Sequence, residues 1–122
     1  MNRFKIAVFT LCAATLFSGC AQQSTNLYHW GSYENIIYKS YEKPGELSIQ
    51  EQIEMLNTDI TKAQDKGKKV SPGLYAHLGY LYFSDGDEAA ALQAFNMEQT
   101  LFPESYPFLT GMINRMQSGQ QP

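Results

Sequence analysis

Five apolar residues, Ile49, Ile53, Leu56, Ile60 and Ala63, recur at intervals of three and four, so they share one face of a helix. The intervening Glu51, Glu54, Asp59, Lys62 and Asp65 are thereby expected to face solvent. Ser48 followed by Glu51 has the spacing of a capping box, in which each side chain satisfies a backbone N–H that the first turn leaves unpaired. The pattern fades at Lys66-Gly67-Lys68-Lys69. A helix over this span must bury its stripe against other elements, and the rest of the chain offers more helices.

Upstream, Tyr28, Trp30, Tyr33, Ile36, Ile37, Tyr38 and Tyr41 form a dense aromatic stretch whose spacing from Tyr33 onward suits a short helix. Lys43-Pro44-Gly45 stops it. Downstream, Ser71-Pro72 reads as a cap followed by proline at the first helical position, starting a third helix that runs to about Phe83. Ser84-Asp85-Gly86 turns the chain, and Asp87 with Glu88 starts a fourth helix that Phe102-Pro103 closes. A fifth, from about Ser105 to Met116, carries Phe108, Leu109, Met112, Ile113 and Met116, and Gln117 to Pro122 reads as a disordered tail. The expected fold is all-α.

Residues 72–105 resemble one tetratricopeptide repeat at nearly every diagnostic position. Tyr75, Leu78-Gly79 and Tyr82 match the first helix of that motif, and Ala91, Phe95 and Pro103 match the second helix and its end. The small Gly79 and Ala91 let two helices cross closely while Leu78, Tyr82 and Phe95 fill the space around the contact. Glu98 stands where the motif favours a small residue. One unit cannot bury both its faces, so helices one, two and five must replace the missing neighbours.

The first 19 residues have the parts of an export signal: Arg3 and Lys5, an apolar core from Ile6 to Phe17, and small residues before Cys20. The core is shorter than the roughly 20 residues a membrane span needs. Leu16-Phe17-Ser18-Gly19-Cys20 resembles a bacterial lipobox, which implies cleavage before Cys20 and covalent lipid on that residue. Ala21 in place of Asp is similar to signals that sort to the outer membrane. Residues 20–26 then read as a lipidated tether and 27–116 as the helical domain. Cys12 lies in the leader, so the mature chain has one cysteine and no disulfide to stabilise it.

Leu27-Tyr28, Trp30-Gly31, Tyr33-Glu34 and Tyr38, taken with the lipobox and the repeat, resemble a family of small bacterial lipoproteins with a domain of unknown function. Its members are encoded beside lipoproteins similar to the curli secretion channel subunit. The resemblance implies an accessory role in an envelope assembly, with such a channel-like lipoprotein as a partner, and implies no catalytic residue.

A formal net charge of −3, more acidic still once Arg3 and Lys5 are removed, lacks the basic footprint of a nucleic-acid binder. Lys66, Lys68 and Lys69 form the one basic cluster, read as a solvated loop between helices with an anionic lipid surface as the alternative. His29 and His77 have no companions at metal-ligand spacing. Asp85-Gly86-Asp87 is better explained as a capped turn than as a calcium loop. Without a phosphate loop or a nucleophile motif, no catalytic residue, metal or cofactor beyond the lipid is assigned.

These features lead to the expectation of a lipid-anchored, periplasm-facing adaptor at the outer membrane, holding an envelope protein through Trp30, Tyr33, Tyr75 and Tyr82. Core packing competes with binding for each of those rings. The rival expectations are a structural lipoprotein that self-associates through the same aromatics, and an enzyme with an unfamiliar site.

Overall fold

A computed structural model describes residues 26–119. Five helices follow in order: α1 (Tyr33–Glu42), α2 (Ile49–Asp65), α3 (Leu74–Ser84), α4 (Glu88–Leu101) and α5 (Tyr106–Gln117). Each packs mainly on its neighbour in the chain, and the α3–α4 hairpin makes the tightest pairing. The fold is all-α, with one addition the periodicity did not reveal. Tyr28–His29 (β1) and Lys69–Val70 (β2) form a two-residue parallel ladder, Tyr28 opposite Lys69 and His29 opposite Val70. The Lys69 N–H donates to the Leu27 carbonyl at 3.3 Å, so the ladder gives the entering backbone its hydrogen-bond partners.

The α2 start is built as its sequence dictates. Ser48 Oγ accepts from the Glu51 N–H at 3.2 Å, and the Ser48 N–H donates to Glu51 Oε2 at 2.8 Å. The Ser48 N–H and then the Ser48 hydroxyl, which also donates to Oε2 at 2.8 Å, hold the Glu51 carboxyl below the usual carboxylate range. Asp87 Oδ1 likewise caps α4 from the Ala90 N–H at 2.9 Å. A 3-10 turn at Pro103–Ser105 leads into α5, which runs through Gln117, one residue into the span expected to be disordered. Residues 120–122, the leader and Cys20 lie outside the described residues.

Two apolar clusters form the core. The first joins Ile36, Leu56, Ala63, Val70, Leu74, Leu78, Leu81 and Ala94 across α1 to α4. Ala91, Phe95, Leu109, Met112 and Met116 make the second, between α4 and α5, and Tyr82 packs against both. Gly79 is indispensable to the hairpin: a Cβ there would stand 2.6 Å from Phe95 Cε1, inside contact distance. The close crossing expected at Gly79 is therefore present.

The start of α3 departs from expectation. Ser71 is not its cap; that residue is fully buried and its Oγ has no partner among the described residues. Gly73, at φ +87°, is the residue preceding the helix. The orphan donors of this helix end are satisfied from the other arm of the hairpin. Glu98, only 2% exposed, accepts from the N–H groups of Gly73 (2.6 Å), Tyr75 (3.2 Å) and Ala76 (3.3 Å). A glutamate at this buried position is thus explained by the three donors it meets.

Asp59 is the second correction. Instead of facing solvent it is 3% exposed and accepts from the Ser32 N–H at 2.7 Å and the Ser32 hydroxyl at 2.6 Å. Gly31, at φ +53°, makes room for it, since a Cβ there would overlap the Asp59 carboxylate. The turn into α1 is thereby fastened to the middle of α2.

Candidate functional site

The C-terminal half of α1, the first turn of α2 and the stretch of α3 from His77 to Ser84 enclose an open groove of about 610 Å³. Ile37, Leu47, Leu81 and the rings of Tyr41, His77 and Tyr80 line it. Tyr41 is 81% exposed and Tyr80 43%, so two large rings border a concave apolar surface with water over them. Both positions follow from local structure. Tyr41 sits in the last turn of α1, just before the Lys43-Pro44-Gly45 break, where no later element covers it. Tyr80 lies one turn after His77 on α3, on the side of that helix turned from the hairpin.

One rim is charged and fixed. Glu46 receives Lys39 Nζ at 2.6 Å and Lys43 Nζ at 3.3 Å across the turn. The lysine bonds hold the Glu46 carboxyl below its ordinary range. His77 is the polar group of the floor, stacked on Tyr80 at 6.3 Å between ring centres and tilted against Tyr33 at 6.1 Å. Its Nε2 has no hydrogen-bond partner among the described residues. Burial pushes the imidazole pKa down, so at neutral pH it is an uncharged ring. The nearby serine hydroxyls are committed elsewhere: Ser40 Oγ donates to the Ile36 carbonyl (2.8 Å) and Ser84 Oγ to the Tyr80 carbonyl (2.9 Å). The groove can seat an apolar or aromatic side chain against Tyr41, Tyr80 and Leu81, while His77 Nε2 is itself buried beneath the rings.

The residues singled out from the sequence do not converge here. Tyr33 is half-buried under α3, against His77 and beside Gly73. Tyr75 packs on the first cluster, and burial followed by the Glu98 charge raises the hydroxyl pKa of both tyrosines. Tyr82 lies between the two clusters and accepts from Asn57 Nδ2 at 3.0 Å. Trp30 alone of the four is exposed, edge-on to Tyr28 at 6.5 Å, and it does not line the groove. Sequence reasoning missed Tyr80 and His77 as groove residues; Tyr41 carried a signal in its place at a helix end. No three His, Cys, Asp or Glu side chains gather at metal-binding distance among the described residues.

Residues 27–112 match DUF4810, described as a domain of unknown function. The chain belongs to the DUF4810 family. The match begins at Leu27, ahead of β1, and reaches Met112 in α5, so it takes in the groove and both buried carboxylates. No curated protein and no solved structure matches the chain.

Proposed function

We propose that the protein is a lipid-anchored adaptor facing the periplasm at the outer membrane, where it holds an envelope protein in the groove between α1, α2 and α3. The observation that carries this reading is the groove itself: two exposed tyrosines bordering a concave, largely apolar floor. Interfaces draw their energy from aromatic anchors of this kind seated in desolvated pockets. The lipobox-like run ending at Cys20 supports the anchor, and the tetratricopeptide-like residues of 72–105 support a helical partner-binding role. The family resemblance read from the N-terminal aromatics makes a curli-channel-like lipoprotein the partner to test first. Neither catalysis nor a cofactor is part of this proposal.

Affinity purification of the native lipoprotein from crosslinked envelopes is the test. Wild type is expected to recover a specific envelope protein, and Tyr41→Ala/Tyr80→Ala is expected to lose it while remaining folded. Equal recovery by both would overturn the groove as the contact. Radioactive palmitate tests the anchor: labelling should disappear in Cys20→Ala, and equal labelling would remove Cys20 from the account.

Self-association is the second reading, favoured by Tyr106 and Phe108, which stand exposed on α5. Light scattering of the purified chain distinguishes it, because a stable homo-oligomer broken by Phe108→Ser would replace the hetero-contact as the primary role.

A further inference from the structure

Opposite the groove, at the far end of α2, the chain enters the domain beside its densest run of lysines. Leu27 and Trp30 are exposed there at 58% and 41%. The Tyr28 ring lies between Trp30 and Phe102, 6.5 and 6.2 Å from them centre to centre. Leu101 and Met97, also exposed, continue this apolar surface along the end of α4 and share a recess of about 310 Å³ with Lys68 and Lys69. Lys66 stands on the other side of β1, in the recess that holds His29.

Lys62, Lys66, Lys68 and Lys69 are all exposed and none is ion-paired among the described residues; the ion pairs there belong to Lys39 and Lys43 at the groove end. Asp65 and Glu104 are exposed nearby, and Glu54 and the buried Asp59 share the recess of Lys62 and Lys66, so the charge is left least opposed at Lys68 and Lys69. A chain of net charge −3 therefore places unpaired positive charge around an exposed tryptophan at the end where its backbone enters.

We propose that this face lies on an anionic lipid surface, Leu27 and Trp30 in the membrane interface and Lys66, Lys68 and Lys69 against lipid phosphates. The proposal rests on the reading of Cys20 as the anchor. Seven peptide steps separate Cys20 from Leu27, a reach of at most about 25 Å when fully extended. The 17 residues of α2 span about 25 Å as well. An anchored chain thus keeps its entry end within that reach of the bilayer, and contact of this end with the lipid would place the groove about a helix length away. Indole rings favour the membrane–water boundary, and lysines lay their stems on apolar surface while their ammonium groups reach phosphate. Each lysine near an anionic surface contributes about fivefold in partitioning. Docking in this pose would aim the groove at the periplasm.

Trp30 is the sole tryptophan, so the intrinsic indole fluorescence of the full chain reports on this position alone. The experiment reconstitutes the lipidated chain into vesicles of phosphatidylethanolamine and phosphatidylglycerol with brominated acyl chains. Trp30 emission is expected to shift to the blue and to be quenched. Lys66→Glu/Lys68→Glu/Lys69→Glu should relieve the quenching several-fold, as should replacing phosphatidylglycerol by phosphatidylcholine, while flotation with the vesicles persists through the lipid. Unquenched emission from a floating protein would overturn the docking face and leave the anchor standing. Quenching that is the same in neutral vesicles and in the lysine variant would overturn the electrostatic assignment. An emission shift that requires an added envelope extract would assign the surface to a protein and overturn the lipid. If flotation is equal for wild type and Cys20→Ala, the anchor reading fails separately, and quenching of Trp30 in Cys20→Ala at excess anionic lipid decides the docking face alone.

Discussion

The α3–α4 hairpin and the N-terminal half of the domain solve the same problem with different materials. In the hairpin, Gly79 lies directly against the Phe95 ring and Glu98 satisfies three N–H groups at the start of α3. The N-terminal half has looser fastenings: a two-residue ladder, one carboxylate holding Ser32, and an α1 with only Ile36 fully buried. Its Trp30, Tyr38 and Tyr41 rings remain in solvent. Close packing is confined to the inner face of the hairpin, whose outer face still exposes Tyr80, Met97 and Leu101; the half fastened to it holds the most exposed ring of the groove, Tyr41.

Gly79→Leu should break the hairpin outright. Overpacking against Phe95 is expected to cost about 3 kcal/mol, the upper end of the usual range, beyond the roughly 1 kcal/mol that Leu gains over Gly in helix propensity. Thermal unfolding would show it, and an unchanged melting temperature would remove the close crossing from the account. Glu98→Ala comes next, at about 2–3 kcal/mol, because three backbone donors lose a buried acceptor. Denaturant titration measures that loss.

Glu98 also predicts the sign of a pH dependence. Burial, the dominant influence, raises its folded-state pKa, and the three N–H bonds only partly oppose it. The folded state then holds this proton more tightly than the unfolded chain does. Stability from this group is fully present below the ordinary glutamate pKa and is lost as pH rises through the raised folded value. Glu46 and Glu51, both lowered, act oppositely and lose their contribution as pH falls through their folded values. Wild type minus Glu98→Gln isolates the effect: the difference in stability should shift against wild type with rising pH across that window.

In the N-terminal half the effects shrink. Asp59→Ala should cost about 1–2 kcal/mol, as the Ser32 N–H and hydroxyl lose their acceptor, and hydrogen exchange should rise at the start of α1 before it rises in α3. Tyr41→Ala should change stability by no more than about 0.5 kcal/mol, because its ring packs on little. A large loss of stability in that variant would show that the ring belongs to the scaffold after all.

Local signals were legible in the chain. Ser48 with Glu51, Asp87 before Glu88, and the three-and-four spacing of Ile49 to Ala63 each act within one or two turns, and each appears where its spacing indicates. Gly79 with Phe95 was legible because a glycine inside one apolar helix and a large ring inside the next suit a close helix crossing. Asp59 and Glu98 were not. A carboxylate at an outward helical position reads as solvated, and only the tertiary approach of Ser32 or of the α3 start supplies its donors. The Ser71 cap failed for the same reason: Glu98 took its donors from across the hairpin. The groove depends on three segments meeting, so Tyr41 was visible as an aromatic at a helix end while Tyr80 and His77 were not visible as its neighbours.

The division between scaffold and contact surface is tested most directly by a photo-crosslinking side chain placed in the full-length lipoprotein in living cells, at Tyr41 in the groove and at the exposed Asn96 on the hairpin. The account predicts a discrete adduct with one envelope protein from position 41 and none from position 96. An adduct from position 96 with none from position 41 would contradict it.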